Sequence, residues 1–156
     1  MGKGKARRDR CRGLTLLELM IGALIVMLLA MIAVPGYEHI HRKRMVATAA
    51  SDIRVIGVTL DSYRLDYDAL PESLAEVGLD GLRDPWGNPY QYLNILTAKG
   101  KGEVRKDHSL VPINSDYDLY SMGEDGASLP PLTAPVSHDD IVRANNGRYV
   151  GLASEY

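Results

Sequence analysis

The chain has 156 residues, with 18 Lys and Arg, 20 Asp and Glu and a formal net charge of -2, which leaves room for one small domain. Lys3, Lys5, Arg7, Arg8, Arg10 and Arg12 crowd the first thirteen positions against Asp9 alone, so the remainder of the chain is acidic and lacks the basic stripe that would hold nucleic acid. The single cysteine, Cys11, excludes an intrachain disulfide, and an exported domain built from this chain would rely on packing, assembly or a metal instead.

After this basic leader, Leu14 to Val34 reads LTLLELMIGALIVMLLAMIAV, long enough to cross the hydrocarbon core of a bilayer, which takes about 20 helical residues. The positive leader favours its own side as cytoplasmic. Two kinds of processing compete. Signal-peptidase cleavage near Ala30 to Ala33 would release the rest, whereas cleavage before the apolar run would keep that run as an anchor. Glu18 is the acid inside the run. An unpaired carboxylate in lipid costs about 3 kcal/mol on insertion scales, so it needs either an ammonium partner, its own terminus or a neighbour's, or a route to the headgroups. Gly22 and Ala23 would permit close helix approach, a weak signal by itself. Pro35 has no amide donor and marks either a local kink or a segment that loosens when subunits pack.

Beyond Pro35 the helical pattern resumes. Ala49, Ile53, Ile56, Leu60, Tyr63 and Tyr67 recur at spacings of four and three, while Asp52, Arg54, Asp61, Arg64, Asp66 and Asp68 fall mostly between them. The spacing predicts one helix from Leu14 to Tyr67. His39, His41, Arg42, Lys43 and Arg44 read as a solvated collar, since histidines two apart point in different directions on a helix. Leu70-Pro71 ends the helix, and Gly78 ends a short turn over Ser73 to Val77. Dense turn signals occupy Asp84 to Pro89. Strands are expected at Tyr90–Leu96, Glu103–His108, Asp116–Met122 and Arg148–Gly151, with a hairpin connection at Ala98 to Gly102. The fold class is therefore α+β: a very long N-terminal helix, partly transmembrane, packed on a small, mainly antiparallel sheet.

Gly13 followed by Leu14-Thr15-Leu16-Leu17-Glu18 resembles the class III signal of type IV pilins and type II secretion pseudopilins. The resemblance implies that a prepilin peptidase cuts between Gly13 and Leu14 and methylates the new terminal amine of Leu14. It also makes Glu18 the family glutamate and Pro35 the family's helix-perturbing proline. Leu14 departs from the usual phenylalanine. Asp84-Pro85-Trp86-Gly87-Asn88-Pro89-Tyr90-Gln91-Tyr92 resembles the DPWGxPYxY segment of the major pseudopilin, although its indole needs no role beyond covering the sheet or the helix. Tyr117 to Gly126, Asp139-Asp140-Ile141 and Asn145-Asn146 resemble the same proteins' later segments. Two stretches depart from the pattern: Thr97 to Ser115 is extended, and Ala127 to Asp140 is rich in proline.

The family also implies a structural calcium ion in the terminal loop. Carried over, its ligands are Asp125, Asp139 and Asp140 with backbone oxygens of Leu119 and Ser121, against the plainer alternative of a solvent-facing turn and an N-capped helix starting near Asp139. No cofactor for chemistry is implied. His108 and His138 lack a nucleophile at a diagnostic spacing, Ser121 lacks the GxSxG elbow, and there is no phosphate loop or dinucleotide fingerprint, so the chain reads as noncatalytic. The implied organisation is a cleaved leader over 1–13, a transmembrane and filament-core helix over 14–35, its amphipathic continuation over 36–68 and a globular region over 69–156. Such a subunit would sit in the bacterial inner membrane with its C-terminal region periplasmic and contact lipid before assembly. It would then form a homopolymer with the help of an assembly platform and minor pilins or pseudopilins, with no nucleic-acid partner. The pseudopilus of type II secretion is the first expectation. A type IV pilus subunit and a monomeric membrane-anchored binding module are the alternatives.

Overall fold

The computed structural model describes residues 15–100 and 102–156, so the expectations for Gly13 and Leu14 lie outside the described residues. Helix α1 runs over Leu16–Tyr67, 52 residues, and carries Pro35 within its span. It starts where Thr15 accepts the Glu18 backbone N–H on its hydroxyl at 3.2 Å, satisfying one of the amides that a helix start leaves without a partner. It stops where Asp68 turns left-handed (φ 52°), just ahead of Leu70-Pro71. The chain divides into two compact units, Met1–Ile40 and His41–Tyr156.

Within the second unit, a 3-10 turn at Leu74–Val77 ends on Gly78 in the left-handed region. Four strands come after it: β1 (Gln91–Asn94), β2 (Tyr117–Ser121), β3 (Ile141–Ala144) and β4 (Tyr149–Leu152), in the order β1-β2-β3-β4 and antiparallel throughout. Tyr92 lies opposite Leu119, Tyr120 opposite Val142 and Arg143 opposite Val150. The β3–β4 connection is Asn145-Asn146-Gly147, all three at positive φ, which Asn and Gly tolerate best.

The core lies on both faces of this sheet. On one face Tyr117, Leu119 and Ile141 meet Ala49, Ile53, Ile56 and Leu60 of α1, together with Leu70, Leu74 and Tyr90. Gly57 makes room there: a side chain at that position would touch the Tyr117 hydroxyl at 3.4 Å. On the opposite face Val142 and Ala144 pack with Ile113, Leu132 and Ala153. Alternation along β2 and β3 serves both clusters, because successive side chains of a strand point to opposite faces. The stretches around Arg105 and Pro130 reach each other by hydrogen bonds from Lys106 N–H to Pro130 C=O (2.9 Å) and from Leu132 N–H to Lys106 C=O (2.9 Å).

Several expectations need correction. Glu103 to His108 forms no strand, only bridges from Lys106 to Pro112 and Pro131. Its backbone makes isolated pairings instead, among them Ile113 N–H to Arg105 C=O (3.0 Å) and Asp107 N–H to Val111 C=O (2.8 Å). Ala98 to Gly102 is not a short hairpin turn of its own but part of the long 95–116 connection between the paired strands β1 and β2. No helix starts near Asp139; the chain there enters β3, whose four residues are all buried. Both faces of β3 are covered, so it shows no polar alternation, and Arg143 breaks its apolar run. Tyr67 is 68% exposed and lies outside the core, stacking on Tyr63 at 4.4 Å between ring centroids.

Candidate functional site

The apolar half of α1 is the first candidate. From Leu16 to Val34 every exposed large hydrophobic residue of the helix keeps at least 50% of its surface accessible, on all sides of the axis. By length and composition α1 is suited to cross a membrane. Glu18 lies in its first turn, where a carboxylate also interacts favourably with the positive helix end. Thr15 and Glu18 stand three apart, the S/T-x-x-E spacing of a capping box. Sequence reasoning missed this helix-start signal, although the spacing alone carries it. Farther along, Arg42 of the basic collar pairs with Glu124 at 3.8 Å, with both side chains more than half exposed, so the pair adds little.

The second candidate is a clasp built on the tryptophan turn. The Asp84 carboxylate is 4% exposed. It accepts the backbone N–H groups of Trp86 (3.0 Å) and Asn88 (2.8 Å) on one oxygen and the Ser121 hydroxyl (2.5 Å) on the other. Asn88 in turn donates to the Gly123 carbonyl at 2.8 Å. Gly123 is left-handed (φ 63°), and any side chain there would collide with the Asp139 backbone and carboxylate. The Tyr90 hydroxyl donates to Asp52 of α1 at 2.8 Å. Burial, with that bond to Asp52, pushes the Tyr90 phenol well above its ordinary range. These contacts join α1, the turn, the end of β2 and the terminal loop.

The terminal-loop acids are the third candidate, and they diverge. Asp125 accepts the Ala127 N–H within its own turn at 2.8 Å. Asp139 accepts the N–H groups of Glu124 (2.8 Å) and Asp125 (3.1 Å). Asp140, fully buried, faces the other way, and one of its oxygens accepts from the Arg105 guanidinium and from the Ser128 hydroxyl. Asp139, in the turn before β3, and Asp140, next to the strand, thus have separate partners. Leu119 and Ser121, whose backbone oxygens complete the expected set, lie in β2. Among the described residues, no group of three His, Cys, Asp or Glu side chains is placed to hold a metal ion. The three carboxylates are therefore not gathered into a common donor set of the kind that calcium, with its six to eight oxygens, takes.

Sequence reasoning missed three polar residues that hold this region together. Arg105, 1% exposed, comes from the extended Thr97–Ser115 stretch and lies over the Tyr120 ring at 4.3 Å. Arg143 forks onto both oxygens of Asp116 (2.9 and 2.7 Å) and stacks on Tyr117 at 3.8 Å. Asn114 donates to Asp118 (2.9 Å) and to the Arg143 carbonyl (2.8 Å). Burial alone would raise Asp116, but the Arg143 fork and the Tyr117 N–H hold it below the usual carboxylate range. Burial does prevail at Asp118, which is raised, and it pushes Asp140 up to about 6 against the pull of Ser128 and Arg105.

Comparison with known proteins fits this arrangement of a motif-bearing helix and a small sheet. The family described as "Prokaryotic N-terminal methylation motif" matches residues 8–34. The type II secretion system core protein G of Pseudomonas aeruginosa is 32% identical over 143 residues, covering 77% of this chain and 88% of the relative. The proteins of the same name from Aeromonas hydrophila and Escherichia coli K12 are each 32% identical as well, covering 77% and 76% of this chain and 87% and 85% of the relatives. No solved structure matches the chain. With an N-terminal methylation motif and relatives of this identity and coverage, the chain belongs to the pseudopilin family of type II secretion system core protein G.

Proposed function

We propose that this protein is a noncatalytic structural subunit of a type II secretion pseudopilus. A prepilin peptidase removes residues 1–13 by cutting after Gly13 and methylates the amine of Leu14. The mature subunit waits in the inner membrane as a single pass, with its C-terminal region in the periplasm, and then enters a helical homopolymer that supports protein export. An assembly platform and minor pseudopilins are its expected partners.

The observation that carries this reading is the bare apolar surface from Leu16 to Val34, which lies within the match to the methylation motif over residues 8–34. A helix apolar all round needs lipid or protein against it, and it can exchange one for the other without losing a backbone hydrogen bond. Glu18 gives that exchange a register. In lipid its carboxylate is costly, and next to the Leu14 amine of a neighbouring copy it is compensated. Axial slips that leave Glu18 without an ammonium partner are disfavoured, so the residue selects one stagger among many that are equally apolar.

The test is intact-mass and N-terminal analysis of membrane and filament fractions from cells carrying the wild-type protein, Gly13→Asp or Glu18→Ala. The wild type is expected in filaments with a methylated Leu14 terminus. Gly13→Asp is expected to retain the leader, and Glu18→Ala to be processed and inserted but poorly polymerised. Normal shortening of the Gly13 variant would reject the assigned cut, and a normal filament yield from the Glu18 variant would reject the register role.

A further inference from the structure

We propose that Arg105 replaces a metal ion in this subunit: its guanidinium is the cation around which the terminal loop is gathered, and the fold of that loop is independent of calcium. The oxygens assembled around this side chain are of the kinds calcium takes, namely a carboxylate from Asp140, the hydroxyl of Ser128 at 2.5 Å and the backbone carbonyl of Leu129 at 2.5 Å. The charge at their centre is covalently part of the chain. A backbone bond anchors the same residue, with its N–H donating to Asp118 of β2 at 2.7 Å. Arg105 thus joins β2, the proline-rich loop and the entrance to β3, segments far apart in sequence.

Two further features favour the guanidinium over a metal. The Arg105 side chain is 2% exposed and that of Asp140 0%, so no water screens the pair, and a divalent ion at Asp140 would sit beside an existing positive charge. The buried polar atoms without a partner include Arg105 Nε and Asp140 Oδ1. They belong to the same pair, whose guanidinium and carboxylate already share one bond. The unused capacity of each group is thus matched by the other. Arg105 is supplied by the Thr97–Ser115 stretch, within the connection between β1 and β2.

The test uses the full-length chain in detergent micelles, melted in millimolar calcium chloride and in excess EGTA, with calcium binding followed by calorimetry. The wild type is expected to melt within about 1 °C in the two conditions and to take up no calcium stoichiometrically, because a ligand that binds only the folded form must raise its melting temperature. A rise of several degrees with calcium, or saturable uptake of one ion, would overturn the proposal. Arg105→Gln is expected to lower the melting temperature by about 10 °C or more, as breaking a buried pair from one side does. Adding Asp140→Asn to that variant is expected to recover part of the loss. Strictly additive losses would show that the two residues do not act as a pair and would also overturn it.

Discussion

The two parts of α1 are built from similar side chains and meet opposite fates. Between Leu16 and Val34 the large aliphatic residues remain at least half exposed, whereas Ala49, Ile53, Ile56 and Leu60 fall to 1% exposed or less. Polar spacing accounts for the difference. Asp52, Arg54 and Asp61 restrict the apolar residues of the second part mainly to one stripe, and the sheet covers that stripe; the first part has no polar face, so no single sheet could cover it. The second part therefore completes its burial within one chain, and the first depends on lipid or on other copies.

This contrast is sharpest at Glu18. Glu18→Ala should reduce sheared filament yield by at least about tenfold, the effect of losing on the order of 1.4 kcal/mol at each subunit contact, while leaving the melting temperature of the sheet region unchanged. Ile53→Ala should do the opposite. It removes a fully buried side chain between α1 and the sheet and should destabilise the fold by about 2–5 kcal/mol in denaturant titrations, with membrane insertion retained. Asp84→Ala strips the acceptor from Trp86, Asn88 and Ser121 and should cost about 2–3 kcal/mol in the same titration.

A smaller effect separates the charged clamp from the apolar core. Because the folded Asp116 carboxyl lies below its unfolded value, the group contributes stability that is fully present above about pH 4 and lost as pH falls through the folded value. The stability difference between wild type and Asp116→Asn should therefore be constant from pH 7 to about pH 5 and shrink toward zero in stronger acid. A difference that stayed flat to pH 2 would show that Arg143 gains nothing from the charge of Asp116. The smallest effect is expected at Tyr67→Ala, within about 0.5 kcal/mol of wild type apart from its stacking on Tyr63.

The helix was legible because its signals repeat: a long apolar run, then a four-three spacing, then Leu70-Pro71. β1, β2 and β4 were visible as short aromatic and β-branched runs beside turns. β3 was not, because Ile141-Val142-Arg143-Ala144 is too short to show a period and is buried on both faces. The second core cluster was equally hidden, since Ile113 and Leu132 lie in segments that read as loops. Among the site residues, the cleavage signal and Glu18 stand out in one dimension. The Arg105–Asp140 pair spans 35 positions and has no sequence signature. Resemblance grouped Asp125, Asp139 and Asp140 as ligands, but each has its own partners: Asp139 takes the N–H groups of the Glu124 turn and Asp140 the Arg105 guanidinium.

The most direct test of the contrast within α1 is the structure of the native filament by electron cryomicroscopy. The predicted result is a filament centre formed by residues 16–34 of neighbouring copies, their aliphatic side chains buried on one another and Glu18 within hydrogen-bond distance of a Leu14 amine, with the sheet region retaining its own two clusters. Filaments joined through the sheet regions alone, with the Leu16–Val34 surface still bare or Glu18 facing only apolar neighbours, would contradict it.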